Sequence, residues 1–515
     1  MQEETPKQGF DTMTDNATIQ VQNGEVPESP NIKARKPDPC ALVIFGITGD
    51  LAKRKLIPAL YHLALGGSLP EDLAVIGFSR SASDAEELRA NLYEAAKSFS
   101  RSKSVDPEIW ARFIARVDCV AGGADDPAAY QALKEKLAEA DEKFGSKGNR
   151  LYYLSVAPSI FPTILGRLKE ADLVFEPGSK GQRWSRVIVE KPFGHDRASA
   201  HELNSLVGQV LDERQTYRID HYLGKETVQN ILTFRFANTI FEPLWNNKYI
   251  DHIQVTAAEE LLVSGRGTFY DQTGVGRDII QNHLLQVLGL ILMEPPVSLD
   301  GDHVRDQKVQ AIQALRSVAE GDAVFGQYEG FLQVDGVAPG SRTPTYMAIK
   351  TWVDNWRWSG VPIYLRAGKA MEGRDTEVAI VFKEVPSYLF GQGLKPNVLV
   401  LQIQPNEGIT LHFSSKVPGD DLNIGYVEMD MKYSQAFERK PGDAYERLLL
   451  DGMRGDSTLF ARRDEIDEAW RWIDPVLKGW ESGTTPMPVY APGQNGPAEG
   501  DALIERDGRS WRSIE

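Results

Sequence analysis

Cysteine is almost missing from the 515-residue chain, which carries only Cys40 and Cys119. Two thiols exclude a disulfide framework and a cysteine-built metal centre, and they fit a reducing, cytoplasmic compartment. Long apolar runs are missing too. The longest, VLGLILM (287–293), is far short of the roughly 20 residues that cross a bilayer, so no membrane partner is expected. Positive charge is outnumbered: 57 Lys and Arg face 73 Asp and Glu, for a formal net charge of −16. A general nucleic-acid binder needs a basic footprint, and this chain has none. Any anionic ligand must therefore be met by cations gathered locally. The first 38 residues lack the basic start and apolar stretch of a signal peptide. Polar and rich in Thr, Asn, Gln and Pro, residues 1–38 read as a disordered tail.

What is present is enough sequence for two large domains. Between Cys40 and Asp220 the runs CALVIF (40–45), AVIGFS (74–79), LYYLSV (151–156) and RVIVE (186–190) are short and apolar. Helical spacing marks LAKRKLIPALYHLAL (51–65) and DAEELRANLYEAAKSF (84–99) between them. Continuous apolar strands alternating with helices predict a parallel sheet covered on both faces, a doubly wound, Rossmann-like α/β domain over 39–219. After about residue 235 the pattern changes. One buried helix, RDIIQNHLLQVLGLILM (277–293), precedes TYMAIKTWV (345–353), EVAIVFKEV (377–385), NVLVLQIQ (397–404) and YVEMDMKYS (426–434). Strands without intervening helices predict an α+β domain over 220–515, its sheet mainly antiparallel with one buried face. The Pro- and Gly-rich end of the chain is expected to wrap over the surface.

The first strand runs into GITGDLAKRK (46–55). Gly46 and Gly49 allow a tight turn and close approach to a phosphate, at the N-terminus of a helix. The spacing is not the full G-x-G-x-x-G, and it also suits a plain strand–helix connection. No G-K-[ST] follows, which disfavours a P-loop. An NAD site usually ends the second strand with an acid for the ribose hydroxyls, whereas Arg80 stands here. Its guanidinium suits a 2′-phosphate, and Thr48 could add a hydroxyl, which favours NADP over NAD. Lys191 ends another apolar strand at the same ligand-binding edge. In RIDHYLGKE (218–226), a turn holding His221, Tyr222 and Lys225 ahead of a helix suits a phosphate. Asp220, itself anionic, suits orienting a histidine instead. His283 is the candidate: the first half of its helix is polar, so it faces either a wet cavity or a core network. Near neutral pH it is the natural residue to take a proton from an alcohol. Together these features predict an NADP-linked dehydrogenase of a phosphorylated alcohol.

GITGDLAKRK, EKPFG, RIDHYLGKE, RDIIQNHLLQ, VRDQKV (304–309) and VPIYLRAGKAMEGR (361–374) together resemble the glucose-6-phosphate dehydrogenase family, from about Cys40 to near residue 500. The resemblance implies oxidation of β-D-glucose 6-phosphate to 6-phosphoglucono-1,5-lactone with NADP, at the entry to the pentose phosphate pathway. It implies His283 as the base on the C1 hydroxyl and Asp220 as its partner. His221, Tyr222 and Lys225 match phosphate-binding positions, and Lys191 matches a lysine that touches sugar and cofactor. Glu259, Asp278, Lys369 and Arg374 fall on further substrate positions. Gly46, Ile47, Thr48, Gly49, Asp50, Leu51 and Arg80 fall on the dinucleotide site. A homodimer or homotetramer built through the large sheet is implied as well. Some members hold a second, structural NADP; Asp375, Ala379 and Gln402 depart from its basic lining. Phe161 stands where members can have a cofactor-side tyrosine, and is expected to keep a stacking surface. Rival readings are a dehydrogenase of other hexose 6-phosphates, one using NAD as readily as NADP, and a non-catalytic NADP sensor, the last disfavoured by the presence of both Asp220 and His283.

Overall fold

The computed structural model describes residues 36–514 except 82–83, 103, 178–182, 387–388, 391–392 and 437–441. All but the last three residues of the expected 1–38 tail lie outside the described residues. Strands β1 (Cys40–Phe45), β2 (Leu73–Ser79), β3 (Val117–Ala121), β4 (Arg150–Leu154), β5 (Ser185–Val189) and β6 (Thr216–Ile219) pair in parallel, in the order β6-β5-β4-β1-β2-β3. Every residue of β1 and β4 is buried, as continuous apolar runs demand when helices cover both faces. The strand order reverses at β1 and β4, the kind of crevice where such sheets bind ligands. The expected α/β domain is present.

The second sheet has nine strands. Its members β7 (Ile250–Ala258), β8 (Ala323–Tyr328), β9 (Tyr346–Thr351), β10 (Ile363–Gly368), β11 (Asp375–Phe382), β12 (Val398–Gln404), β13 (Gly408–Lys416) and β14 (Ile424–Lys432) run β14-β13-β12-β11-β7-β10-β9-β8. Its pairs are antiparallel apart from β7 with β10 and β8 with a short end strand. The mainly antiparallel sheet was expected; its central strand β7 was not. IDHIQVTAA carries His252, Gln254 and Thr256 where a half-exposed strand would meet water, yet all three are buried. The end of the chain explains this. Gln254 donates to the Ser510 carbonyl at 2.9 Å, Arg366 to that of Arg512 at 2.6 Å, and Arg512 to Glu377 at 3.1 Å. The central strands are thus covered on both faces, unlike the single buried face that alternation suggests.

The chain after the second sheet also returns to the first. Strand β15 (Phe460–Ala461) pairs antiparallel with β6, and helix Ala444–Arg454 lays Gly452 against Ile188 so closely that a Cβ would meet its Cδ1 at 2.9 Å. Strand β16 (Val489–Tyr490) closes the far edge of the second sheet beside β8. One apolar cluster consequently runs from Leu42 and Ile188 through Leu284 and Leu288 to Ile253 and Leu365.

VRDQKV lies in helix Gly301–Gln313, where Lys308 is fully buried. Its Nζ meets Glu465 Oε2 at 2.7 Å and donates to Gln286 Oε1 at 2.7 Å, three residues beyond His283 on the same helical run. This pair ties helix Arg463–Ser482 to the segment that carries the site. Removing one partner strands a buried charge. Lys308→Met is expected to cost about 3–5 kcal/mol in urea unfolding, with replacement of both Lys308 and Glu465 by apolar residues costing much less.

Candidate active site

Two loops at the carboxyl edge of the first sheet and one helix under the second sheet converge. The chain leaves β5 into Lys191 and β6 into Asp220, while His283 lies on Gly276–Leu284, a π-helical run that continues as helix Leu285–Leu292. Π-helical turns recur at functional sites because they re-aim side chains out of the ordinary spacing. His283 Nδ1 lies 2.5 Å from Asp220 Oδ1, both side chains buried. Its Nε2 lies 2.9 Å from Lys191 Nζ. An ionised carboxylate only accepts and an ammonium only donates. The ring is therefore neutral, with its proton on Nδ1 and its Nε2 lone pair facing outward to a donor.

The electrostatics agree. Burial holds His283 below the ordinary histidine value, opposed by the Asp220 charge and reinforced by Lys191. Burial by itself would raise the Asp220 carboxyl, but His283, His221 and Lys191 hold it below the usual range. The Tyr222 ring stacks on His283, with centroids 4.3 Å apart and planes at 12°. His221 meets His283 edge-on at 4.5 Å, and burial, followed by repulsion from any proton its neighbour His283 would carry, keeps it well below the ordinary value. Asp220 Oδ2 has no hydrogen-bond partner among the described residues.

Beyond Lys191 the charges alternate. Lys191 donates to Asp278 Oδ1 at 3.1 Å and to its carbonyl at 3.0 Å. Burial would raise the Asp278 carboxyl, but Lys191 and then Lys369 hold it low. Lys369 in turn pairs with Glu259 and lies over the Tyr270 ring. On the other side, Lys225 occupies the N-cap position of helix Glu226–Phe236. Gly224 lets this turn press on helix Ala444–Arg454: a Cβ there would lie 2.7 Å from the Ala444 carbonyl oxygen. Burial lowers Lys225; Glu407 counters this and Arg374 adds to it. Tyr222 accepts from Gln404 at 3.2 Å, a partner the sequence reading did not single out. Lys191, Asp220, His221, Tyr222, Lys225, Glu259, Asp278, His283, Lys369 and the exposed Arg374 thus belong to one neighbourhood.

Apart from Lys191, the dinucleotide candidates lie at the ends of β1 and β2. Gly46 has φ +81°, and a Cβ there would lie 2.4 Å from the Ser155 carbonyl oxygen. Only glycine fits. Gly49 closes the turn by donating to the Gly46 carbonyl at 2.9 Å, and Ile47 fills the space beside Gly77 of β2. Thr48 Oγ1 lies 2.8 Å from Ser79 Oγ and 3.1 Å from Ser81 Oγ, beside the exposed Arg80. Asp50 pairs with Arg54 at 2.7 Å in solvent, and Leu51 is half-buried. A cradle that excludes a Cβ, next to a cluster of hydroxyls and a guanidinium, fits a phosphate-bearing dinucleotide. Phe161 offers no open stacking face, because it is buried in the core beneath the first sheet. Gln402 donates to Asp375, and Ala379 is buried between the strands.

Ligand atoms of Asp220, His221 and His283 all lie within 4.8 Å of one another. A metal there would compete with the Lys191 ammonium for Nε2, so the set is better suited to proton transfer. At pH 6.5, ¹⁵N NMR of the unliganded chain should show His283 neutral and protonated on Nδ1. Asp220→Asn should lower its midpoint by about one unit or more, since the carboxylate charge is what supports the cation. A doubly protonated ring at pH 6.5 would contradict this arrangement.

The chain is similar to known proteins over most of its length. Family models described as "Glucose-6-phosphate dehydrogenase, NAD binding domain" and "Glucose-6-phosphate dehydrogenase, C-terminal domain" match residues 43–230 and 232–512. A glucose-6-phosphate 1-dehydrogenase of Chlamydia pneumoniae is 43% identical over 494 residues, covering 92% of this chain and 96% of that one. A crystal structure of the Mycobacterium avium glucose-6-phosphate 1-dehydrogenase superposes with a TM-score of 0.80 at 39% identity, covering 93% and 99% of the two chains. A solved glucose-6-phosphate dehydrogenase in complex with its substrate glucose-6-phosphate gives 0.86 at 36% identity, covering 93% and 100%.

Proposed function

The chain belongs to the glucose-6-phosphate dehydrogenase family, and from that premise we propose how its residues carry the reaction. The activity is that of a glucose-6-phosphate 1-dehydrogenase. The observation that carries the residue assignment is His283 held between Asp220 and Lys191. His283 Nε2 takes the proton of the C1 hydroxyl of β-D-glucose 6-phosphate, and Asp220 stabilises the imidazolium that forms. Lys191, an ammonium already beside that nitrogen, holds substrate oxygen at the same place and disfavours early protonation of the ring. The product is 6-phosphoglucono-1,5-lactone.

His221, Tyr222 and Lys225, with Arg374 nearby, take the phosphate. Two cations, one of them partly desolvated, gain most when a dianion enters. Glu259, Asp278 and Lys369 hold sugar hydroxyls. Gly46, Ile47, Thr48, Gly49, Asp50 and Leu51 take the dinucleotide backbone, and Arg80 with Thr48 favours the 2′-phosphate of NADP. The bound nicotinamide supplies the hydride acceptor. In this reading residues 39–219 serve the cofactor and residues 220–515 the sugar phosphate and assembly. Strand β14 ends the second sheet and leaves Val427 and Met429 exposed, an edge that invites pairing between copies and suits a dimer or tetramer. Both cysteines are unpaired, in keeping with a cytoplasmic enzyme; no helix among the described residues is long and apolar enough to cross a membrane.

The test follows reduced-nicotinamide absorbance with glucose 6-phosphate, galactose 6-phosphate and free glucose, each with NADP and with NAD. Glucose 6-phosphate with NADP should give the highest kcat/KM. His283→Asn should lower kcat by about 10²–10⁴-fold with KM for the sugar phosphate nearly kept. Unchanged turnover in that variant would remove the base assignment, and equal rates with free glucose would remove the phosphate role of His221, Tyr222 and Lys225.

A further inference from the structure

Lys191 stands at the centre of the site but at the head of a loop, residues 191–196, that joins β5 to helix Arg197–Gly208. The backbone of this loop is pinned from outside. The Phe193 carbonyl accepts a hydrogen bond from Nε1 of the buried Trp470 at 3.1 Å, and the His195 carbonyl accepts one from Arg277 Nε at 2.8 Å. Gly194, at φ +83°, presses on the following helix, where a Cβ would lie 2.5 Å from the Ala200 nitrogen. Asp196 caps that helix by accepting from the Ser199 amide at 2.8 Å. Arg277 immediately precedes Asp278, whose carboxylate and carbonyl both take the Lys191 ammonium. Two adjacent residues of the π-helical run therefore grip the loop twice, by the Lys191 side chain and by the His195 backbone. The Arg277 guanidinium also reaches Glu481, with Nη2 2.6 Å from Oε1, on the same helix Arg463–Ser482 that supplies Trp470. The mechanism above uses none of Arg277, Trp470 and Glu481.

We propose that Arg277 and Trp470 are positioning residues for Lys191: by fixing the His195 and Phe193 carbonyls they hold its ammonium where it reaches His283 Nε2 and Asp278 together. The inference rests on the functional reading of Lys191 and His283. Arginine suits this post because its planar fork donates in two fixed directions, here to a carbonyl and to a carboxylate. The indole nitrogen, which only donates, suits the other carbonyl. Without these pins the chain beyond β5 is free to shift, and the long lysine side chain shifts with it. A displacement of about 1 Å at a substrate-positioning group costs on the order of 10²-fold in rate. The groups that face the His283 ring are Asp220, Lys191, Asp278, His221 and Tyr222. Of these, the Lys191 ammonium bears against a proton on the ring, whereas the Asp220 and Asp278 charges support one. Retreat of Lys191 must therefore raise the pH at which His283 takes up its proton.

Arg277→Met removes both donors of the guanidinium. Trp470→Phe keeps a ring and removes only the hydrogen bond to Phe193, with no change of charge. In the full chain kcat with glucose 6-phosphate should fall by about 10–100-fold in Arg277→Met and by less in Trp470→Phe. KM for the sugar phosphate should change little, because the phosphate turn leaves β6 on a loop of its own. Followed by ¹⁵N NMR of the unliganded chain, the His283 midpoint should rise in both variants. In Trp470→Phe that rise reports movement of Lys191 rather than a lost charge, and it carries the test should Arg277→Met not fold. In a Lys191→Met background neither substitution should lower kcat or move the midpoint further. A wild-type His283 midpoint in either folded variant would overturn the proposal, as would losses that simply add to that of Lys191→Met. If Lys191→Met itself keeps the wild-type kcat and midpoint, the functional reading of Lys191 falls instead.

Discussion

The buried contact between Asp220 and His283, 2.5 Å long, is the constraint on which the rest of the site depends. Asp220 belongs to the edge of the first sheet and His283 to a helix packed under the second. Two sheets must therefore be held in register to within a fraction of an ångström. The shared apolar cluster, the return of β15 and helix Ala444–Arg454 to the first sheet, and the buried Lys308–Glu465 pair beside Gln286 all serve that registration. Stability and catalytic geometry meet in the same contacts.

A second constraint is electrostatic. The chain carries a formal charge of −16, yet the site must draw in a dianionic sugar phosphate. Local arrangement resolves this. Lys225 and Arg374 sit close together on one side of the histidine, while on the other Lys191 and Lys369 alternate with Asp278 and Glu259. The alternating side suits hydroxyls, which both donate and accept; the cationic side suits phosphate. A low-dielectric surround makes each of these charges count for more than it would in water.

Much of this was legible from residues close together in sequence. CALVIF and RVIVE announce buried parallel strands because both faces are covered, and RIDHYLGKE already singles out Asp220 as the acid that meets a histidine. His283 was legible as a polar residue out of place on an apolar helix. What escaped was set by distant chain. Strand β7 has buried polar positions because the end of the chain crosses it, and no local pattern in IDHIQVTAA signals that. Gln404 meets Tyr222 only because the edge of one sheet comes against the other. Phe161 reads as a cofactor-side ring, but its helix turns it into the core.

The central claim is that Asp220 fixes the tautomer and supports the cation of the base that removes the C1 hydroxyl proton. Its most direct test is the primary isotope effect with glucose 6-phosphate deuterated at C1, compared between the wild-type chain and Asp220→Asn. The account predicts a large fall in kcat in the variant, a nearly unchanged KM for the sugar phosphate, and a primary isotope effect close to its full intrinsic size, because the chemical step has become limiting. An Asp220→Asn chain that keeps the wild-type kcat and its isotope effect would contradict the account.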